Sequence, residues 1–217
     1  RMQAKKAAYH HGSLKKSLLA AGDLVLMEKG FKGFTFRECA RRAGVSHAAP
    51  KHHFGDVTGF LSALATIGFD RLTKALIAGI RKAKDLDEEF LATTRAYSKF
   101  AEDYPEYFRI MFRDDLLATE SVELGLAARR TLTELTNVIL RQRGEREISV
   151  GELKDYTKAE DVLGDIVLGW CHIHGFAHLK LEHQLPVVSK SMEKRVIKAS
   201  SARLAQLIRR DATPDLH

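Results

Sequence analysis

Apolar residues recur every three or four positions along almost the whole chain. No stretch alternates apolar and polar residues in the two-residue rhythm of a strand, so the pattern predicts an all-α protein of about nine helices. The first expected helix runs from Ser13 to about Lys29, with Leu14, Leu18, Ala21 and Val25 inward and Gly30 as its stop. A long helix over about Val57–Lys84 starts at a capping Asp56. Further helices are expected at about 87–103, 105–113, 119–143, 158–183 and 187–210, with Pro105 and Pro186 where first-turn prolines are tolerated. The longest connection, about 144–157, is charged and contains glycine, and reads as a surface loop.

Between Gly30 and Asp56 the pattern tightens into two short helical signals separated by Gly-Val-Ser. The first opens with Thr35-x-x-Glu38, the spacing of a capping box in which each side chain satisfies a backbone donor at the helix start. It continues through Cys39, Ala40 and Ala43, with Arg37, Arg41 and Arg42 on the solvent side. Gly44 supplies the left-handed residue that closes it, Val45 is a buried plug, and Ser46 can cap the second helix. Pro50 falls at the fourth position of that second helix. Phe31, Phe34, Phe36, Phe54 and Phe60 are expected to form a small aromatic core around this head. The combination predicts a helix-turn-helix, which lays its second helix in the major groove of DNA.

Charge sharpens this picture. The formal net charge of +7 lies entirely in residues 1–60, which hold eleven Lys/Arg against four Asp/Glu. Residues 61–217 hold 24 of each. A basic head on a neutral body is the electrostatic pattern of a DNA reader with a separate second domain. The expected division is therefore 1–60, an N-terminal arm and helix-turn-helix head, and 61–217, a separate body. Two cysteines, Cys39 and Cys171, are too few for a disulfide framework and fit a reducing cytoplasm. The most apolar segment, Val162–Leu181, is broken by Asp165 and three histidines, so no membrane span is expected.

The motifs resemble those of the TetR family of one-component bacterial transcriptional regulators. Gly30-Phe31 with Phe34-Thr35, Ala40–Ser46 and Phe54 recur there in this order and spacing. Trp170, His174 and Gly175 resemble the Trp-x-x-x-His-Gly signature of one subgroup, as do Ser46–Pro50, and Tyr104–Phe112 is similar to a segment of these proteins. The resemblance implies a DNA-binding head over 1–60 and a ligand-sensing, dimerising body over 61–217. It also implies two departures: Lys51 stands where a phosphate-contacting tyrosine is usual, and Val57 where a lysine is usual.

On the second helix of the motif, Ser46, His47, Ala48, Ala49, Lys51, His52 and His53 are the candidates for DNA contact. Lysine can donate to guanine, and alanine methyls can touch thymine. His53 either faces DNA or packs under Phe54. Arg37 and Arg42 are candidates for phosphate, which fixes position rather than sequence. Lys5, Lys6 and Tyr9 form either an arm reaching a neighbouring groove or a tail. Val162, Ile166 and Ala177, with Ile197, Ser201, Leu204 and Ile208, lie on the last two helices at three- and four-residue spacing. They are expected to build a homodimer interface, with core packing inside one subunit as the competing reading. Phe100, Tyr104, Phe108, Met111 and Phe112, with Trp170 and His174, are expected to line a pocket for a small apolar ligand, or else to be simple core.

His174 and His178, four residues apart, have no third ligand in view, so no metal is expected, and neither is a cofactor. No nucleophile motif, metalloprotease helix or phosphate loop appears, so the chain is not read as an enzyme. The leading expectation is a ligand-responsive repressor that binds a near-palindromic double-stranded DNA operator as a dimer. The alternative is a DNA-binding protein whose body docks another protein.

Overall fold

The computed structural model describes residues 2–156 and 160–211, with side chains over 14–155 and 160–209. Among them are ten α-helices and one 3₁₀ turn, and no strand. They are α1 (Met2–Lys29), the 3₁₀ turn Phe31–Gly33, α2 (Phe36–Ala43), α3 (Ala49–Phe54), α4 (Val57–Ile80) and α5 (Leu86–Asp103). They continue with α6 (Pro105–Met111), α7 (Val122–Gln142), α8 (Leu153–Tyr156), α9 (Glu160–Leu181) and α10 (Lys190–Asp211). The all-α expectation holds, and the tenth helix is the single turn α8, inside the segment read as loop.

The chain divides into two compact units, one of residues 1–68 with 104–125 and the other of 69–103 with 126–217. The boundary expected at 60/61 is displaced, because α4 is one unbroken helix across it and 104–125 rejoin the first unit. The reason for the rejoining is local. The Tyr107 hydroxyl donates to Asp23 Oδ1 at 2.8 Å, and the Phe31 amide donates to Glu106 Oε2 at 3.3 Å. Gly68 lets α6 press against α4: a Cβ there would sit 2.6 Å from Met111 Sδ and 2.8 Å from Tyr107 Cδ1.

The core of the first unit is aromatic, as expected, and Phe60 is its centre. Phe60 is fully buried, stacked on Phe54 at 4.2 Å between centroids and edge-on to Phe34 at 5.2 Å, with Phe36 tilted against it at 5.9 Å. Phe31 is half-buried instead, with the Arg113 guanidinium over its ring. Asp56 caps α4 as the sequence suggested, its Oδ1 accepting from the Gly59 amide at 2.8 Å.

The second unit packs α5 against α9 and α10. Its interior includes Phe90, Val138, Ile139, Leu140, Ile148, Leu153, Val162, Ile166, Leu204, Ala205 and Ile208. The charged loop after α7 is pinned to this interior by Asn137, whose amide donates to the Ile148 carbonyl and whose Oδ1 accepts from the Ile148 amide. Arg143, nearly buried, spans Asp165, Glu145 and Asp161 and so ties the end of α7 to the start of α9. Pro186 lies in the connection before α10 rather than in its first turn. The Ser189 carbonyl accepts the Met192 and Glu193 amides, so the helix starts three residues later than the proline suggests.

The seven residues expected at a dimer interface are a correction. Val162, Ile166, Ala177, Ile197, Ser201, Leu204 and Ile208 are each at most 9% exposed in the single chain. Their periodicity is that of the subunit's own core: Ser201 Oγ donates to Thr94 Oγ1 on α5, and Leu204 and Ile208 pack with Phe90. A residue already inside one subunit has little surface to offer a second.

Candidate nucleic-acid interface and candidate ligand residues

The helix-turn-helix forms through local signals. Thr35 is extended and its Oγ1 accepts the Glu38 amide at 3.3 Å, which starts α2. Gly44 closes it at φ 66°, ψ 34°, where its amide and that of Val45 reach back to carbonyls of the last turn. The capping box is half made. Glu38 does not turn back to the Thr35 amide; its carboxylate receives Arg41 at 2.8 and 2.9 Å, Arg42 Nε at 2.9 Å and Lys29 Nζ at 3.2 Å. Three cations attract the carboxylate more strongly than one backbone donor.

The same cluster reassigns Arg42. Its Nη2 donates to Glu28 Oε2 on α1 at 2.6 Å while its Nε holds Glu38, so its charge is matched twice. Arg42 is a strut between α1 and α2 rather than an open phosphate anchor. Hydrogen bonds from Arg41 and Arg42 hold the Glu38 carboxyl far below the usual carboxylate range, and Glu28 holds the Arg42 guanidinium firmly protonated. Arg37, on the outer face of α2, is exposed and has no ion-pair partner among the described residues. Cys39 is buried at the α1–α2 contact, where burial pushes its thiol up to about 11 and leaves it unreactive.

The second helix begins later than expected. Ser46 is outside α3, and the cap is Ala48, which makes no side-chain bond; the Ser46 carbonyl accepts the Ala49 amide instead. Pro50 is therefore the second residue of α3, where its missing N–H costs no helical bond. Val45 is half-buried rather than a full plug. His47, Ala48, Lys51 and His52 are exposed, and Ala49 and His53 are half-buried. His52 and His53 meet edge-on, and His53 is tilted against Phe54, so His53 leans toward the packing alternative. Phe54 is sandwiched by Phe60 and by Lys15 Nζ, 5.7 Å from its ring centroid. The side chains of Lys5, Lys6 and Tyr9 lie outside the described ones.

In the second unit, the tryptophan and histidine of the Trp-x-x-x-His-Gly motif, one turn apart on α9, hold one tyrosine of α5. The Trp170 indole N–H donates to the Tyr97 hydroxyl, which lies 2.9 Å from His174 Nδ1. Tyr97 is 1% exposed, and burial keeps its phenol protonated. Burial, and then the neighbouring His178, lower the His174 pKa and so favour its neutral ring. Tyr97 had no signal in the sequence, since it lies 77 residues from His174.

The seven expected pocket residues divide between the units. Tyr104, Phe108, Met111 and Phe112 belong to the first, where Met111 packs against Gly68 and Phe108 meets Phe112 edge-on at 5.6 Å. Phe100, Trp170 and His174 belong to the second. None of the seven lines the larger concavity described in the second unit, about 750 Å³, whose walls are Phe176, Leu181, Leu185, Pro186 and Val188. On its rim Lys180 is bracketed by Glu102 and Glu193. No cluster of three metal-ligating side chains and no helix long and apolar enough to cross a membrane occurs among the described residues.

Comparison with known proteins places this architecture. Residues 90–200, just over half the chain, match the family described as "Tetracyclin repressor-like, C-terminal domain". Among solved structures, a Rhodococcus sp. RHA1 protein described as of unknown function is similar at 27% identity and a TM-score of 0.70, covering 91% of this chain and 96% of that one. The TetR family transcriptional regulator PfmR of Thermus thermophilus is similar at 17% identity and a TM-score of 0.54, over 87% and 97% of the two chains. The transcriptional regulator FadR of Bacillus subtilis, solved with stearoyl-CoA, is similar at 14% identity and a TM-score of 0.53, over 89% and 97%. No match was found among curated proteins.

Proposed function

Because the chain belongs to the TetR (tetracycline-repressor-like) family of transcriptional regulators, we propose that it is a ligand-responsive repressor that grips a near-palindromic operator as a dimer. The observation that carries this reading is the outer face of α3. His47, Ala48, Lys51 and His52 stand exposed there with no carboxylate on the helix, on an aromatic core that fixes their direction. Such a face can offer donors to base edges and a methyl to thymine, while Arg37 is open to phosphate.

The dimer contact is proposed on the outer stripe of α9. Gly164, Leu168, Cys171, Gly175 and Leu179 recur at helical spacing, all exposed or half-exposed, with Val167 and Leu207 of α10 also exposed. A Cβ added at Gly164 or Gly175 would meet nothing within 4 Å, so a second helix could approach closely. The ligand is proposed to enter the concavity walled by Phe176, Leu181, Leu185, Pro186 and Val188. Its volume suits a small molecule with an apolar body, which supports sensing over protein docking. A ligand there weakens operator binding only as far as it binds the two states of the protein unequally.

The test is fluorescence anisotropy of the full chain against the DNA upstream of its own gene, with footprinting on that DNA and the sedimentation of Leu168→Glu measured alongside. We expect a two-fold-symmetric footprint, steep salt dependence, and a variant that is monomeric and binds DNA weakly. A footprint without two-fold symmetry, or a variant that remains dimeric, would overturn the reading.

A further inference from the structure

Several cations in the second unit are held in ion pairs. Arg130 pairs with Asp70, Arg141 with Glu89 and Glu147, Arg143 with Asp165, Arg146 with Glu152 and Arg209 with Asp87. Around one concavity three unpaired cations are gathered. Lys82 after α4, Arg95 on α5 and Lys198 on α10 line a cleft of about 350 Å³, all three exposed and none paired with a carboxylate among the described residues.

The one acid in the lining does not compensate them. Glu88 sits at the start of α5, where its Oε2 accepts the Lys84 amide at 3.0 Å and its own amide donates to Asp85 Oδ1 at 2.7 Å. That reciprocal capping holds its charge at the helix end. The floor is hollowed by small residues, Gly79, Ala83 and Ala92. A Cβ on Gly79 would lie 3.3 Å from the Ala92 carbonyl and 3.4 Å from Ala96 Cβ, so α4 and α5 close the bottom of the cleft. The third wall is fixed one turn away, where Ser201 of α10 meets Thr94 of α5.

We propose that this cleft binds a small multivalent anion, a metabolite carrying phosphate or two or more carboxylates. Three convergent cations with an excess of two charges over Glu88 repel one another when the cleft is empty, and an anion that engages all three removes that repulsion. Arginine offers a planar fork to oxyanions and the two lysines offer point charges from either side. The concavity is the size of a small metabolite. The cleft is separate from the apolar concavity at the end of α9, and shares no lining residue with it.

The experiment is calorimetric titration of the full chain with inorganic pyrophosphate and, separately, citrate, at constant ionic strength. Saturable binding of one anion per chain is expected, and the stronger of the two probes identifies phosphate or carboxylate as the preferred group. Arg95→Gln with Lys198→Gln should weaken it about tenfold or more, and Lys82→Gln alone should weaken it less. Arg203→Gln, which removes an exposed cation of α10 outside the cleft, should leave it unchanged. Absence of saturable binding of both probes, or equal binding by all variants, would overturn the proposal. So would loss of DNA affinity in the cleft variants with pyrophosphate binding intact, which would make these cations a nucleic-acid contact.

Discussion

Helices α2 and α3 are neighbours in one motif and both carry cationic side chains, three on α2 and one on α3, yet they use them in opposite ways. On α2, Arg41 and Arg42 are bound to Glu38, and Arg42 also reaches Glu28 of α1. On α3, Lys51 has no acid beside it among the described residues and the helix contains none. Matched charge makes a strut, because each ion pair fixes two side chains and cancels the field that would attract phosphate. Unmatched charge is what the proposed reading role of α3 needs, because its field and its donors remain available. Net charge alone cannot distinguish the two, and the eleven basic residues counted in 1–60 are therefore not eleven contacts.

The largest effect should come from removing what both helices stand on. Phe60→Ala takes away the ring that stacks on Phe54 and meets Phe34 and Phe36, and should cost the first unit about 3–5 kcal/mol. Denaturant unfolding followed by tryptophan fluorescence would miss this, since Trp170 lies in the other unit; far-ultraviolet dichroism should show a separate early transition and DNA binding should vanish. A single unshifted transition would mean that the aromatic cluster is not what orients α3.

Next comes the reader itself. Lys51→Ala should weaken operator binding several-fold and lower the slope of log affinity against log salt by about 0.9, the loss of one phosphate-neutralising charge. Arg37→Gln should act similarly, and Arg42→Gln should not. Equal salt slopes for the wild type and the Lys51 variant would place that side chain off the phosphate backbone.

These contrasts also show what the sequence could express. The start and end of α2 were legible because Thr35, Glu38 and Gly44 act within one turn of themselves, and Phe60 was legible as part of an aromatic cluster near its own helix. The partition of roles was only half legible. Glu38 and Arg42 are four apart, a spacing that signals an ion pair, but Glu28 is fourteen residues from Arg42 and gives no sign of it. In the second unit the failure was of direction. Val162, Ile166, Leu204 and Ile208 have the periodicity of a buried face, and periodicity does not say whether the same subunit or another one does the burying. The start of α3 was misplaced because Ser46 has the chemistry of a cap, whereas the backbone turn through its carbonyl carries the helix on to Ala49.

The strut side of the comparison can be sharpened by Arg42→Gln, which should lower the melting temperature of the first unit while leaving the salt slope of DNA binding unchanged. A change in the slope would return Arg42 to the phosphate contacts.

The smallest effect, and the most specific to the strut, is its dependence on pH. Glu38 ionises far below its ordinary value of 4.5 in the folded chain, held there first by Arg41 and then by Arg42. On acidification the unfolded chain takes up the proton first, so the stabilisation is complete well above 4.5 and is lost as the pH falls from there toward the folded value. The difference in stability between the wild type and Glu38→Gln should therefore be constant from about pH 6 to 8 and shrink below about 4.5. If the Glu38 difference instead shrinks near neutrality, the cluster is tuned by another group and α2 is not held by the carboxylate at its centre.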